Sequence, residues 1–235
     1  TFNLSHYKTK IVNVGLYDAN GNPMDDIGSR WFIGQPISVN YDYRFIGIWQ
    51  ITDPSNPNGQ QDPNYRYSIP GYMKYHDKDG VNDITPADKE IIGSAIPKVT
   101  MGMTNTFRYK NFDLSFFLRG TIGNDILNAT RMAYAQSGFL PGTNALDDPL
   151  TYTLSETPRF SNYYLEKGSF MRLDNLTLGY KIKALNGIRV YFTAQNLFVI
   201  TKYKGLDPEV PMDSGDGLTP GVEPVSYTHL TLPTT

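Results

Sequence analysis

The chain lacks cysteine altogether and has only three histidines. The absence of cysteine excludes disulfide frameworks, cysteine-based metal sites and thiol catalysis. The histidines, His6, His76 and His229, are scattered along the sequence, and no Ser/His/Asp grouping, HExxH motif or glycine-rich phosphate loop accompanies them. No signature of nucleophilic, zinc-dependent or nucleotide-binding chemistry is therefore present.

Long apolar runs and an excess of one charge are also missing. No window approaches the run of about 18 apolar residues that a transmembrane helix needs, although half-apolar strands of a membrane barrel remain compatible with this. The 235 residues include 21 basic and 23 acidic side chains, so there is no electrostatic footprint for nucleic acid or anionic lipid. No signal peptide opens the chain, since Thr1 starts directly in strand-like sequence. We interpret the sequence as a mature form or a fragment.

Aromatic residues and glycine are plentiful, with 17 Tyr, 12 Phe and 21 Gly. Helical periodicity is hard to find, which indicates an all-β protein. Six segments are predicted as strands, namely residues 2–17, 31–50, 98–109, 112–121 and the two arms of a hairpin over residues 169–201.

The second arm of this hairpin alternates between apolar and polar residues. Ile188, Val190 and Phe192 fall on one face, and Arg189 and Gln195 fall on the other. A transmembrane β-strand needs this pattern, but so does a half-buried strand of a soluble sandwich. The alternation alone leaves both architectures open.

The connections between the predicted strands fall into two length classes. Two turns are short, at Lys110-Asn111 and at residues 183–187, whereas residues 51–97, 122–168 and 202–225 form long segments. Successive connections of an up-and-down sheet lie at opposite ends, so all short turns then share one end. This segregation is typical of outer-membrane barrels, and a soluble sandwich has little reason to adopt it. The pattern favours the barrel.

Four blocks of the sequence resemble, in the family's order, the C-terminal barrel of SusC/RagA-type TonB-linked outer-membrane proteins. They are GQPISVNYDYRFIGIWQ (34–50), IIGSAIPKVTMGMTNTFRYKNFDLSFFLRGTIGNDILNATR (91–131), SFMRLDNLTLGYKI (169–182) and VYFTAQNLFVITKYKGLDPEV (190–210). The resemblance implies a barrel of about 22 strands plugged by an N-terminal domain, located in the outer membrane of a Gram-negative bacterium. It also implies energy supply through TonB, a SusD-like surface lipoprotein as partner, and import of oligosaccharides or, in some members, peptides.

Two departures from the family bear on domain organisation. Six strands cannot close such a barrel and no plug or TonB box is seen, so residues 1–227 are expected to be a C-terminal barrel fragment. The family ends in a strand with a terminal aromatic residue, but here Pro233 is poorly placed in a strand and the last residue is Thr235. Residues 228–235 are therefore interpreted as a non-native tail, such as a cloning scar.

Residues 75–88 resemble a calcium loop of the EF-hand or dockerin kind, in which alternate carboxylates supply oxygen ligands. Asp77, Asp79 and Asp88 take the first, third and twelfth positions. Val81 at the fifth position offers no side-chain oxygen, and Asn82 replaces the glycine of the sixth. An acidic, turn-rich external loop without metal is favoured over a calcium site, and no other cofactor is predicted.

Neither enzymatic nor sugar-stacking residues can be assigned from the sequence. The carboxylate pairs Asp25-Asp26 and Asp147-Asp148 could suggest glycosidase chemistry, but sequence neighbours diverge in direction and nothing sets their separation. Aromatic residues more often pack loops or form interfacial girdles than contact ligands. The candidates left unassigned for this reason are Trp49, Tyr65, Tyr67, Tyr72, Tyr134, Tyr152, Tyr163 and Tyr164.

The sequence thus predicts an antiparallel, up-and-down sheet from the wall of a transmembrane barrel. Arg119, Arg189 and Gln195 are expected to line the lumen, and apolar positions such as Val190 and Phe192 to meet lipid. The function predicted is part of a TonB-dependent importer without enzymatic activity. The alternative is a soluble or surface-anchored β-sandwich that binds carbohydrate.

Overall fold

The computed structural model describes residues 1–49, 71–81, 84–135, 145–148, 159–185, 187–209 and 221. Its strands are β1 (Phe2–Ser5), β2 (Val39–Asp42), β3 (Phe45–Ile48), β4 (Met73–Tyr75), β5 (Glu90–Ser94), β6 (Val99–Tyr109), β7 (Phe112–Ile122), β8 (Asp125–Leu127), β9 (Leu165–Lys167), β10 (Phe170–Ile182) and β11 (Ile188–Thr201). A six-residue helix, α1, covers Ala129–Tyr134, and 3-10 turns cover Pro86–Asp88 and Lys183–Leu185. Within these ranges, no helix has the length and apolar character needed to cross a membrane.

The main feature is a five-stranded antiparallel sheet in the order β1-β6-β7-β10-β11. We call it the wall sheet. The strands of this sheet lie side by side in the order in which they occur along the chain, so the sheet is an open up-and-down meander. The predicted all-β, antiparallel class is confirmed, and the four long strands match the predicted segments 98–109, 112–121 and 169–201 closely.

The register of the wall sheet gathers apolar side chains on one face. Leu176, for example, pairs with Phe116 on one side and Ala194 on the other, and paired residues share a face. This apolar face carries Met101, Met103, Phe107, Tyr109, Phe112, Leu114, Phe116, Leu118, Leu176, Leu178, Tyr180, Ile188, Val190 and Phe192. Val190 and Phe192 on it are 56% and 62% exposed, so the described residues leave this part of the face uncovered.

The opposite, polar face carries hydroxyl, amide and charged side chains. Its members include Thr100, Thr104, Thr106, Arg108, Asp113, Ser115, Arg119, Thr177, Lys181, Arg189, Thr193 and Gln195. The predicted separation of Arg119, Arg189 and Gln195 from Val190 and Phe192 is therefore present in the structure.

Both short turns lie at one end of the wall sheet. Lys110 adopts a φ of 53°, as a tight two-residue hairpin turn requires. Gly187, which closes the other short turn, has a φ of 80°. The segments that precede β6, join β7 to β10 and follow β11 all leave from the opposite end, so the predicted segregation of connections is confirmed for the described strands.

Two of the predicted long strands are wrong. Of residues 2–17 only Phe2–Ser5 forms a strand. Gly15 takes a left-handed φ of 85°, which turns the chain near the end of the predicted segment. Residues 31–50 give the short strands β2 and β3, which pair with β5 and β4 outside the wall sheet.

The strands β2–β5, β8 and β9, together with α1, form a layer beyond the end with the long connections, which we call the cap. It comprises the described residues within 6–97, 123–168 and 202–209. Its buried core consists of Tyr43, Met73, Tyr75, Ile84, Leu127 and Tyr164, and none of these belongs to a strand of the wall sheet. This buried hydrophobic cluster thus lies in the cap. The predicted tail from Thr228 lies outside the described residues.

Candidate functional site

Arg131 organises the centre of the cap. It lies on α1, where the Asn128 side chain caps the helix by accepting a 2.7 Å hydrogen bond from the Arg131 N–H. The guanidinium donates to Asp148 at 2.5 Å through Nε and to Glu166 at 3.3 Å through Nη1. The Tyr163 hydroxyl donates to the other oxygen of Asp148 at 2.6 Å. This network joins α1 to two chain segments that are distant in sequence.

The electrostatics of this network keep the Tyr163 phenol and the Arg131 guanidinium in their ordinary charge states. Burial, together with the hydrogen bond to Asp148, raises the pKa of Tyr163 to about 12. The phenol therefore stays protonated and donates to the carboxylate at neutral pH. The Arg131 guanidinium also lies 4.5 Å from the centre of the Tyr163 ring, a cation–π distance. Because Asp148 is buried and paired with both groups, it holds the cap together and is poorly placed for acid–base chemistry.

The other carboxylate pair has a local structural role. Asp25 Oδ1 accepts a hydrogen bond from Ile33 N at 2.7 Å, and Asp26 Oδ1 accepts one from Ser29 N at 2.9 Å. Hydrogen bonds from the backbone and then the side chain of Ser29 lower the pKa of Asp26. Asp26 is therefore ionised at neutral pH and has no proton to donate as a general acid.

The three aspartates of the predicted calcium loop do come together, with carboxylate oxygens within 4.8 Å of one another. Asp88 is fully buried and accepts hydrogen bonds from Lys78 N at 2.8 Å and Thr85 N at 2.7 Å. Asp77 accepts one from Gly80 N at 2.6 Å. Calcium takes about six to eight oxygen ligands, and Asn82 and Asp83 lie outside the described residues. The choice between a calcium site and the favoured metal-free loop therefore stays a prediction.

Aromatic side chains of the cap serve its packing. Tyr72 and Tyr164 are 8% and 0% exposed, and Tyr164 packs edge-on against Tyr163 at 5.0 Å. Lys74 lies over the ring of Trp49 at 4.3 Å. These positions agree with the interpretation that loop aromatics pack the loops. Tyr65, Tyr67 and Tyr152 lie outside the described residues.

At the cap end of the polar face, Arg119 and Arg172 bind the segment that follows β11. Arg119 pairs with Asp174 and Glu209. Arg172 pairs with Asp207 at 2.5 Å and with Glu209 at 2.8 Å. We call these five residues the arginine clamp. The sequence placed Arg119 on the lumen side but gave no signal for its partners, because Glu209 is 90 residues away.

A strand irregularity makes the clamp possible. The pairing of β10 with both neighbours shifts register between Leu173 and Asn175, and Asn196 in β11 has a φ of 48°. A bulge of this kind leaves one residue out of the ladder and re-aims its side chain. Here the extra residue is Asp174, which reaches Arg119.

The clamp also sets the charge of Asp207. Burial by itself would raise the pKa of Asp207, but hydrogen bonds from the Arg172 side chain and from Glu209 N outweigh it and hold the pKa below its ordinary value. Asp207 therefore stays ionised at neutral pH, and the chain after β11 stays attached to the wall sheet.

A second ion pair crosses the polar face between strands that are not neighbours. Arg189 on β11 contacts Asp113 on β7 at 2.5 and 3.0 Å, across Gly179 of the intervening β10. A Cβ atom at Gly179 would lie 2.5 Å from Asp113 Oδ1 and 2.6 Å from the Arg189 guanidinium. The ion pair between Asp113 and Arg189 therefore depends on Gly179 having no side chain.

The described residues of the cap line at least two cavities. The larger, of about 620 Å³, is lined by the turn at residues 27–30 and by residues from β2, the 3-10 turn, α1 and the start of segment 159–167. The smaller, of about 320 Å³, lies beside Arg131, Asp148 and Lys204.

Comparison with known proteins finds similar sequences among TonB-dependent receptors. The chain is 35% identical over 232 residues to TonB-dependent receptor P3 of Formosa agariphila, a match that covers 88% of the chain and 23% of that receptor. It is 38% identical over 150 residues to TonB-dependent receptor SusC of Bacteroides thetaiotaomicron, covering 57% of the chain and 15% of the receptor. The chain spans about a quarter or less of the length of these curated relatives.

Solved structures with a similar fold include the RagAB peptide importer in the "open-open" state. The TM-score is 0.61 at 23% identity, over 94% of this chain and 24% of that chain. No protein-family profile matches the chain. The named relatives are receptors and transporters, which confirms the prediction that the chain is not an enzyme.

Proposed function

Because this chain belongs to the SusC/RagA family of TonB-dependent receptors, we propose that the receptor containing it imports oligosaccharides across the outer membrane. TonB-dependent receptors of this family reside in the outer membrane of Gram-negative bacteria, so the predicted location is confirmed.

The observation that carries the proposal is the two-faced wall sheet. Its apolar face suits lipid and its polar face suits an aqueous lumen, as in the wall of an outer-membrane barrel. A barrel removes the open edges that a five-stranded sheet leaves at β1 and β11. The cap at the end with long connections then faces the cell exterior, where a nutrient arrives.

We further propose that TonB drives the import and that a SusD-like surface lipoprotein covers the cap. The resemblance of the sequence to the SusC/RagA family implies oligosaccharides as the substrate class. A second candidate is peptide import, which the similarity to the RagAB peptide importer favours.

The test is deletion of the receptor gene in its host, followed by uptake measurements with labelled oligosaccharides and labelled peptides. We expect the deletion to abolish oligosaccharide uptake and the full-length gene to restore it. Loss of peptide uptake alone would establish the second candidate instead. Unchanged uptake of both would overturn the importer.

Fractionation of the same cells tests the architecture separately. The full-length protein should require detergent for extraction and should copurify with a surface lipoprotein. Recovery in the aqueous phase without detergent would favour the carbohydrate-binding sandwich and contradict the barrel.

A further inference from the structure

We propose that the end of the wall sheet with the short turns binds the headgroups of anionic phospholipids, with Lys110 and Lys183 as the contacts. The inference goes beyond import, because it concerns how the receptor is held in the membrane. It rests on the assignment of the apolar face to lipid. The surface, which we call the turn rim, consists of Tyr109, Lys110, Phe112, Tyr180 and Lys183.

Cationic side chains are concentrated at this end of the wall sheet, although the chain as a whole is nearly balanced in charge. The parts of the four long strands nearest the short turns, together with those turns, are residues 101–118 and 175–200. They carry five cations and one anion. The anion is Asp113, and the cations are Arg108, Lys110, Lys181, Lys183 and Arg189. The fifth strand, β1, has no charged side chain.

Asp113 can offset only one of these five cations. Its hydrogen-bonded partner is Arg189, at 2.5 and 3.0 Å. Arg108 lies opposite Asp113 in the register of β6 and β7, but the carboxylate carries a single charge. Among the residues that the structure describes, the three lysines of this end form no ion pair. Five cations against one anion leave a surplus of four positive charges.

Aromatic side chains of the apolar face accompany this surplus. Lys110 Nζ lies 5.2 Å from the centre of the Tyr109 ring, which is 70% exposed. The rings of Phe112 and Tyr180 pack against each other, with their centres 4.6 Å apart. At a membrane interface, aromatic rings lie at the level of the headgroups, and the long side chain of lysine extends its ammonium group to that level. The turn rim has this composition.

The two short turns lie side by side, so their lysines can act on the same headgroup region. The N–H of Lys181 donates to the carbonyl of Asn111 at 2.8 Å, which joins the end of β10 to the turn between β6 and β7. Lys183 follows two residues later and is exposed. The open edges of the wall sheet are at β1 and β11, and strands added there would extend the sheet sideways without covering the turns.

The surplus is divided between the two sides of the sheet. Arg108 and Lys181 lie on the polar face, so the sheet separates them from lipid. Lys110 and Lys183 lie in the turns, and Lys110 contacts a ring of the apolar face. A lysine near a membrane surface favours anionic over neutral lipid by about fivefold. Because the two turn lysines adjoin the lipid-facing surface, we assign the headgroup contacts to them.

A photoreactive residue next to the turn rim can report which lipid lies there. The residue p-benzoylphenylalanine replaces Phe112, which is 52% exposed on the apolar face, in the full-length receptor. The receptor is placed in vesicles containing equal amounts of phosphatidylcholine and phosphatidylglycerol with the same acyl chains. After irradiation, mass spectrometry measures the ratio of the two lipid adducts, at low and at high salt.

Three double variants locate the charge that matters. The test variant combines Lys110→Gln with Lys183→Gln. A control that combines Arg108→Gln with Lys181→Gln removes the same charge from the polar face of the same end. A second control removes it from the cap, where the substituted lysines are exposed, and combines Lys8→Gln with Lys10→Gln. None of these side chains forms an ion pair described above, so all variants should keep the melting temperature of wild type.

We expect phosphatidylglycerol adducts to exceed phosphatidylcholine adducts in wild type by about threefold or more, and the excess to fall as salt is raised. In Lys110→Gln/Lys183→Gln the two adducts should become equal. Both control variants should keep most of the excess.

Equal adducts in wild type, or an excess that survives in Lys110→Gln/Lys183→Gln, would overturn the inference. Loss of the excess in Arg108→Gln/Lys181→Gln would also overturn it, because the anion would then lie on the polar face. An adduct with a protein instead of a lipid, in irradiated whole cells, would assign the turn rim to a protein partner. Absence of any lipid adduct would contradict the lipid-facing assignment itself. Import is tested separately, by the uptake measurements on the deletion strain.

Discussion

Gly179 gives the polar face room for an ion pair that reaches over a strand. Replacing it with alanine would place a Cβ atom 2.5 Å from Asp113 Oδ1, so Asp113 and Arg189 would have to separate. We expect Gly179→Ala to destabilise the full-length receptor by about 1–3 kcal/mol, the usual effect of overpacking. Chemical unfolding in detergent measures this.

Gly102 is the matched control for Gly179, because it also lies on the polar face. A Cβ atom there would lie 3.5 Å from the nearest atom, on the Phe117 ring, an ordinary contact. Gly102→Ala should therefore cost little. Equal effects of the two substitutions would show that the loss comes from the strand backbone and not from the ion pair.

The raised pKa of Tyr163 predicts that the stability of the cap depends on pH. Its pKa of about 12 exceeds the unfolded value of about 10, so folding favours the protonated phenol. This stabilisation is complete below about pH 10 and is lost as the pH rises through the folded pKa. The difference in tyrosinate absorbance between wild type and Tyr163→Phe should accordingly rise near pH 12. A midpoint near pH 10 would contradict the proposed burial and the bond to Asp148.

Spacing along the sequence could reveal some residues of the candidate site but not others. Asp77, Asp79 and Asp88 were grouped from the sequence because one loop holds all three. Arg131 and Glu166 are 35 residues apart, and the sequence around either residue does not indicate a contact with the other. Contacts of this kind depend on how the cap folds, which single-sequence patterns do not encode.

Among the elements, strand length decided what the sequence could predict. β6, β7, β10 and β11 have 11 to 14 residues, enough for alternation to be recognised. β4, β5, β8 and β9 have three to five residues and show no usable period. One long strand was predicted over residues 31–50 because the strand-like sequence continues through Tyr43 and Arg44. In the structure β2 ends and β3 begins there.

The acidic loop around Asp88 closes through backbone hydrogen bonds to a buried carboxylate. We therefore propose that it holds its shape without calcium. Asp88→Ala would leave Lys78 N and Thr85 N without their acceptor, at a cost of about 2–4 kcal/mol. Limited proteolysis of the full-length receptor should show cleavage within this loop for Asp88→Ala, but not for wild type treated with a chelator.

Asp79→Ala is the control in this experiment, because Asp79 is exposed and accepts a hydrogen bond from Val81 N at 3.1 Å. This variant should resist cleavage nearly as well as wild type. If chelation alone opens the loop as widely as Asp88→Ala does, the loop is a calcium site.

For the molecule as a whole, the two faces of the wall sheet should respond oppositely to charge. Leu176 and Thr177 are adjacent on β10, and Leu176 lies on the apolar face beside Phe116 and Ala194. An arginine facing lipid near the midplane costs about 2–4 kcal/mol. Leu176→Arg should therefore lower the stability of the receptor in lipid vesicles by this amount.

Thr177→Arg tests the other face of the same strand. Thr177 lies on the polar face, with its hydroxyl 3.1 Å from that of Thr193, and an arginine there can reach water. The loss should be below about 1 kcal/mol. Equal losses for Leu176→Arg and Thr177→Arg would contradict the assignment of one face to lipid and the other to the lumen.

The separation of the buried core from the wall sheet has a consequence for evolution. The six core residues of the cap belong to no strand of the wall sheet, so the cap can be repacked without altering the lipid-facing pattern. We expect related receptors to differ in substrate through sequence changes in the cap, while the sequence of the wall sheet changes slowly. A cap transplanted from one receptor to another should then bring its ligand preference with it.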